Sequence, residues 1–334
     1  MAVTLKDVAK RAGVSRSAVS RTFTPGASVS EKTRTMVERA ARALGYSPSF
    51  IARSLTTKRT KLIGLVANNF QNPVFLEVFD LYTRALQQRE LRPLLVNLTN
   101  ETDPEQSLRM LQQYGVDAVI VATSTLPPNF SRAFRVAHVP VVHAFGRFDP
   151  VANVHVVGID NNLGGRMAAD TLASREYRAI AIIGGPEYAT STQDRVAGFS
   201  QRMRELELPI ADIGYAENYT YAAGRLAMTA LLRRAQVDAV FCGDDLICMG
   251  AMDAARSRGL SIPRDIGFLG FNDMDMAGWD AYRLTTIRQP IRDIILGSVE
   301  LVVNLVDDLE RKPEIRLFPC TIVERSSLRP VSAG

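Results

Sequence analysis

The sequence predicts a small all-α head joined to a larger α/β core built as two doubly wound subdomains. Three observations carry that expectation. Residues 1–47 hold short helical-period segments separated by glycine and serine. Residues 62–330 alternate Val- and Ile-rich apolar runs with helical-period segments, as expected for a parallel sheet covered on both faces. That core, about 270 residues long, exceeds one comfortable sheet, so two are expected.

The first element is a helix pair. Thr4 to Phe23 reads TLKDVAKRAGVSRSAVSRTF: a helix, a turn centred on Gly13, and a second helix opened by Ser15. Leu5, Val8 and Ala9 give the first helix an apolar face, and Val14, Ala18 and Val19 give the second a matching one. Arg16, Ser17, Ser20 and Arg21 are left on the outer side. This is the helix-turn-helix pattern, in which the second helix enters the DNA major groove with its N-terminal residues at the base edges. Thr4 and Ser15, at the openings of the two helices, join those four as candidate DNA contacts.

Charge supports the pattern. Residues 1–61 contain 13 Lys or Arg against 3 Asp or Glu, a net of +10. The remaining residues contain 27 basic and 32 acidic side chains, a net of −5, so the whole-chain +5 hides how local the basic region is. A merely solvated helical face would also be charged. Charge concentrated on a helix-turn-helix favours phosphate neutralisation and counterion release instead.

A third helix follows, with Ser30 as its cap, Glu31 at the positive end of its dipole, and an apolar stripe of Met36, Val37, Ala40, Ala41 and Leu44. Gly45 ends it. Residues 48–61 read as a hinge: Pro48 stops the preceding helix, Ser49 can cap a new one, and Phe50 to Leu55 make about two turns, too few to be stable alone in water.

In the core, strands are expected at 62–67, 93–98, 117–122, 140–144, 179–183, 238–242 and 266–271, with a last strand pattern in CTIVERSSL. Helices are expected at 73–89, 104–114, 161–176, 190–207, 220–235, 244–258 and 290–310. No apolar stretch is long enough to span a bilayer, and the N-terminus opens directly into an amphipathic helix, so a cytoplasmic protein is expected. Cys242, Cys248 and Cys320 lack zinc spacing and read as reduced thiols. No phosphate-binding glycine loop appears, and His138, His143 and His155 have no matched nucleophile, so neither a metal, a cofactor nor catalysis is expected.

The acidic cluster has several readings. Asp244 and Asp245 open a helix after AVFC, and Asp273 and Asp275 follow GFLGF, both at carboxyl ends of strands where doubly wound sheets bind ligands. Asp245 suits helix capping. A metal or phosphoryl-transfer site lacks supporting residues. Recognition of ligand hydroxyls by carboxylate and amide acceptors is the third reading.

These residues also carry a family resemblance. VTLKDVAKRAGVS, VSR, VSEKTR, LGYSP and ARSL, followed by LIGLV, NPVF, GIDN, DRVAGF, DDLICMGAM, GFND and LTTIRQP in order, resemble the head, hinge and core of the lactose-repressor/galactose-repressor family of bacterial transcription regulators. That resemblance implies a core like periplasmic sugar-binding proteins, with one subdomain of about 62–160 plus 291–318 and another of about 161–290 plus 319–330. It implies a hinge whose Arg53, Ser54 and Leu55 meet DNA, Leu55 as a minor-groove wedge; Leu55 packing on its own head is the alternative. It places an effector pocket on Asn68, Phe75, Phe145, Ile159, Arg195, Tyr219, Asp244, Asn272 and Gln289. For Phe75 and Ile159, ordinary core packing is an equal alternative. Many members carry Asn-Asp at Asp244-Asp245 and Asp at Asn272, so no known member's sugar transfers to this chain.

The implied protein is a homodimer that binds a pseudo-palindromic operator on double-stranded DNA under control of a small, sugar-like effector, with repression favoured. No leucine-heptad tail follows the last strand pattern. A sugar-binding enzyme such as a kinase carrying a DNA-binding head is disfavoured by the missing phosphate loop. A nucleoid protein is disfavoured because it would not need so large a core.

Overall fold

The computed structural model describes residues 3–24, 26–47, 54, 59–98, 104–126, 128–148, 153–308 and 311–331. The chain divides into two compact units, Met1–Thr60 and Lys61–Gly334.

The first unit holds α1 (Leu5–Ala12), α2 (Arg16–Thr22) and α3 (Glu31–Leu44). Val8, Ala9, Ala12, Val19, Val37, Ala40 and Ala41 form its buried core, with Leu5, Val14, Phe23, Leu44 and Tyr46 packed around them. The turn between α1 and α2 requires Gly13, whose φ of +66° lies in the left-handed region. Ser15 and Ser30 cap α2 and α3, their hydroxyls accepting from the N–H of Ala18 and Thr33. Met36 departs from the expected stripe and is exposed. Val37, Ala40, Ala41 and Leu44 already complete the i, i+3, i+4, i+7 face, and Met36 is turned about 100° away from Val37.

The second unit contains two six-stranded sheets. The first comprises β1 (Leu62–Ala67), β2 (Arg92–Asn97), β3 (Ala118–Ala122), β4 (Val141–Ala144), β5 (His155–Gly158) and β11 (Ile315–Leu317). Their order is β11-β5-β4-β3-β1-β2, and all pairings are parallel. The second sheet comprises β6 (Ile180–Gly184), β7 (Ile210–Tyr215), β8 (Ala239–Cys242), β9 (Gly267–Asn272), β10 (Thr285–Arg288) and β12 (Thr321–Val323), ordered β12-β10-β9-β8-β6-β7. Only β12 is antiparallel.

Helices fill the connections: α4 (Val74–Gln87), α5 (Pro104–Gln113), α6 (Pro128–Val136), α7 (Asn161–Ala173), α8 (Thr190–Glu205), α9 (Tyr221–Arg234), α10 (Asp245–Arg256) and α11 (Ile291–Asp307). α11 follows β10 of the second sheet yet packs on α4 and on β3, β4 and β5 of the first. Two helix pairs approach very closely. A β-carbon on Gly198 would lie 2.0 Å from the Asn162 carbonyl oxygen, and one on Gly250 2.0 Å from that of Tyr221. One apolar cluster includes Ile63 and Val142 of the first sheet together with Ile182, Phe241 and Ile287 of the second, so the core is continuous between them.

Several elements were not among the expected runs: α6, β5, β7, β10 and β11. β7 (IADIGY) alternates in burial because it is an edge strand. In β10 (TTIR), two threonines are fully buried, which masks the strand in an apolar scan.

Candidate functional site

The first candidate surface is on the head. Arg16, Ser17, Ser20 and Arg21 are all exposed on α2, as are Thr4 and Ser15 at the two helix starts. The Asp7 carboxylate accepts from the Thr4 hydroxyl at 2.7 Å and from its N–H at 2.9 Å; these bonds hold its pKa below the usual carboxylate range. Ser15 and Ser17 hydroxyls lie 2.9 Å apart, and Arg21 Nε reaches back to the Ser17 carbonyl at 3.4 Å. Neither Arg16 nor Arg21 forms an ion pair among the described residues. Arg53 and Leu55 lie outside the described residues; Ser54 is described, helical and half-buried.

The second candidate is a cavity where carboxyl ends of both sheets meet. Its residues come from the segments just beyond strand ends. β1 leads to Asn69 and Asn72, β3 to Thr123 and Ser124, β4 to Phe145, and β5 to Asn161. From the second sheet, β7 leads to Tyr219, β8 to Asp244 and β10 to Gln289, while Asn272 ends β9. Arg195 comes from α8, and Val74, Phe75 and Val78 from α4. This is where doubly wound sheets place ligands, because loops diverge there and helix N-termini converge.

Seven of the nine expected pocket residues therefore line one cavity: Phe75, Phe145, Arg195, Tyr219, Asp244, Asn272 and Gln289. Two do not. Asn68 donates to Thr125 at 2.6 Å and accepts from Thr123 at 2.6 Å, so it braces the β3 loop from behind. Ile159 is buried in the main apolar cluster, which was its alternative reading. Sequence reasoning missed Asn72 and Asn161, although both sit in quoted motifs, NPVF and GIDN. It also missed Asn69, Val74, Val78, Thr123, Ser124 and Ile291. For these only their position after a strand, or on α4 and α11, gives a signal.

The polar geometry is specific. Asp244, rather than the expected Asp245, is the helix cap: its Oδ1 accepts from the N–H of Leu246 at 2.8 Å and of Ile247 at 3.3 Å. Its Oδ2 accepts from Asn72 Nδ2 at 2.9 Å and Asn272 Nδ2 at 2.8 Å. Burial raises the Asp244 pKa against the lowering effect of these donors. Asp245 points the other way. It is fully buried, accepts from Thr286 Oγ1 at 2.6 Å and the Met274 N–H at 2.8 Å, and burial pushes its pKa up to about 7. Gln289 Nε2 donates to Asn272 Oδ1 at 2.5 Å.

Arg195 is buried, with Nε donating to Asn161 Oδ1 at 2.9 Å and Nη1 to the Gly243 carbonyl at 2.6 Å; its guanidinium carbon sits 3.6 Å from the Phe271 ring centroid. Burial pulls its pKa down, but a guanidinium still stays charged. Phe145 and Asn272 hold positive φ of +62° and +118°, strained backbone of the kind that clusters at ligand sites.

Bonds also cross between the sheets at the cavity. Besides Asn72 to Asp244, Arg147 after β4 pairs with Asp194 at 2.7 Å and donates to the Thr190 carbonyl at 2.9 Å and Gln193 Oε1 at 3.1 Å. The Ser124 carbonyl accepts from Thr190 Oγ1 and the Ser191 N–H. Among the described residues no group of His, Cys, Asp and Glu is arranged to hold a metal ion, and no helix is long and apolar enough to cross a membrane.

Comparison with known proteins fits this geometry. Residues 4–49 match the family described as bacterial regulatory proteins, lacI family, and residues 169–328 match a periplasmic binding protein-like domain. The HTH-type transcriptional repressor PurR of Klebsiella pneumoniae subsp. pneumoniae is 33% identical over 332 residues, covering 97% of this chain and 96% of the relative. A lac repressor dimer bound to operator and the anti-inducer ONPF shares the fold, with a TM-score of 0.90, 24% identity and coverage of 99% and 100% of the two chains. The transcriptional regulator CelR in complex with cellobiose aligns at a TM-score of 0.73 and 27% identity over 97% of this chain and 99% of its own. With a helix-turn-helix head, a two-sheet core and a repressor relative matched end to end, the chain belongs to the lacI family of bacterial regulatory proteins and is a transcription regulator, not an enzyme.

Proposed function

We propose that the protein is a cytoplasmic repressor whose homodimer reads a pseudo-palindromic operator through α2 and the hinge, and whose operator affinity is set by a small sugar-like metabolite in the cleft. One observation carries the effector half: the cavity is lined from both sheets, so any occupant contacts both at once. A ligand shifts a conformational equilibrium only through its differential contacts with the two states. A cleft closed by the Asn72–Asp244 bond and the Arg147 cluster supplies such a difference, because moving one sheet relative to the other breaks these bonds and empties the lining. The segments 62–160 with 291–318, and 161–290 with 319–330, are the proposed moving parts. Effector and operator then alter each other's affinity by the same factor.

On the DNA side, Arg16 and Arg21 suit bidentate contact with guanine, with Ser17 and Ser20 beside them and Thr4 and Ser15 at phosphates. Arg53, Ser54 and Leu55 of the hinge extend the interface into the minor groove. Two heads related by a two-fold axis require half-sites about one helical turn apart or a multiple of it. Selection of random-sequence duplexes by the full-length protein tests this: enrichment of an inverted repeat, bound by a dimer, is the expected result. Enrichment of a single half-site, or binding that ignores sequence, would refute it.

A further inference from the structure

Resting on the reading of α2 as the helix that meets the bases, we propose that Arg34 of α3 is a positioning residue for DNA recognition. It sets the angle at which α2 is presented, and so contributes to sequence specificity without touching a base. α2 needs such support. At seven residues it is shorter than a helix that holds itself together in water, so its orientation comes from its neighbours. Its N-terminal end is fixed by the Ser15 hydroxyl, which accepts from the Ala18 N–H. At the other end, the last carbonyls of a helix have no partner within it and must find one outside.

Three of those carbonyls in α2 have named donors. That of Ser20 accepts from Thr24 Oγ1 at 2.9 Å, and that of Arg21 from the Thr24 N–H at 3.1 Å. The Thr22 carbonyl, last in the helix, accepts from Arg34 Nη1 at 3.4 Å, twelve positions away in sequence. Of these bonds only the one from Arg34 reaches α2 from another helix. Phe23, the residue that ends α2, adds an apolar anchor beyond the far end of α3, its ring centroid 5.9 Å from that of Tyr46.

Electrostatics explains why an arginine stands there. The Arg34 N–H closes the first turn of α3 by donating to the Ser30 carbonyl. Helical side chains lean toward the N-terminus of their helix, so its charge lies at the positive end of the α3 dipole, an unfavourable place. The same guanidinium sits at the negative end of α2, where a cation is favoured. Arg34 is half-buried and has no carboxylate partner among the described residues, so α2, not α3, accounts for its position. Leverage links that bond to recognition. With α2 pivoting at its Ser15 cap, a tilt displaces the Thr22 end most, and Ser20 and Arg21 are next to it. Bidentate base contacts tolerate little displacement.

Titration of the full-length protein with the selected operator and with a random duplex, at several salt concentrations, tests this. Arg34→Met keeps the side chain's length and removes its donors and charge; Arg34→Lys restores a charged donor. The Met variant should bind the operator about tenfold more weakly, the loss of about one good base contact. Its affinity for random DNA should stay within about twofold of wild type and its salt slope should not change, and the Lys variant should recover most of the operator loss. Should the Met variant fail to fold, Arg34→Gln, which keeps a neutral donor, is expected to show the same operator-selective loss in smaller measure. Wild-type operator affinity in the folded variant would overturn the proposal. So would equal losses on both duplexes with a salt slope lower by about one, the mark of a phosphate contact. A urea transition lowered in step with the operator loss, with Lys no better than Met, would reduce Arg34 to a folding role. Arg16→Ala without any operator loss would instead remove α2 from the bases and take the underlying reading with it.

Discussion

The head and the core use opposite strategies to make a binding site. On the head the candidate contacts are close in sequence, exposed and nearly unpartnered: Arg16, Ser17, Ser20 and Arg21 lie within six residues on one helix. In the core they are scattered and buried; Asn72 and Asp244 are 172 positions apart yet share one hydrogen bond. A surface site borrows little from the fold, so its residues are free to change function without changing stability. An enclosed site is made of the fold, and its residues carry both burdens at once. Each of the following tests attacks or refines that contrast.

The largest effect is expected where the core has no slack. Gly198→Ala would place a methyl group against the Asn162 carbonyl, backbone that cannot rotate away, and force α7 and α8 apart. Core stability should fall by about 3 kcal/mol, the upper end for overpacking. Equilibrium unfolding in urea measures it, and a wild-type midpoint would show that the helix pair is looser than described.

Next come the exposed arginines. Arg16→Ala or Arg21→Ala should cost about 1–3 kcal/mol of binding at the selected operator while leaving the unfolding transition unmoved. The loss should be smaller on random DNA. Equal losses on both would mean that these side chains touch phosphates only, and a shifted transition would break the contrast between head and core.

How much of this was legible follows the same division. The head was readable because a helix-turn-helix is local: Gly13, Ser15 and the apolar positions fix the geometry within twenty residues, and only Met36 was misplaced. The parallel strands were readable because burial on both faces leaves uninterrupted Val and Ile runs. The half-exposed edge strand β7 and the interior strand β10, which carries buried threonines, were not. In the pocket, seven residues implied by family resemblance converge, but which neighbouring acid caps α10 is settled by backbone direction, and a run of two aspartates does not encode that. Asn72 and Asn161 were invisible as ligand contacts because their role depends on partners from another sheet.

A pH test probes the buried acid beside the pocket. Asp245 has its pKa pushed up to about 7, far above an unfolded aspartate near 4. The folded state therefore holds a proton that the unfolded state has lost, and stability falls as pH rises from about 4 to about 7. Asp245→Asn, which mimics the protonated form, should gain on wild type by on the order of 2 kcal/mol between pH 5 and pH 8. Chemical denaturation at the two pH values gives the difference. A constant gap would mean that the pair of bonds from Thr286 and Met274 keeps Asp245 ionised throughout.

The smallest effect is expected at the rim, where the two strategies meet. Arg147 is about one-third exposed and reaches from the loop after β4 to Asp194, Gln193 and the Thr190 carbonyl at the start of α8. Water screens such a pair, so its loss should change folding stability by less than about 1 kcal/mol. Its geometry gives it a different role, since three of its bonds exist only while the two sheets stay together at the cavity mouth. Arg147→Met retains the length of the side chain and removes the charge. The variant should unfold like wild type but bind the effector up to about fivefold more weakly, and should let the ligand go faster rather than take it up more slowly. Stopped-flow binding separates the two rates. An unchanged dissociation rate would show that the cleft is held by the Asn72–Asp244 bond and its apolar walls, with the rim cluster contributing nothing to closure.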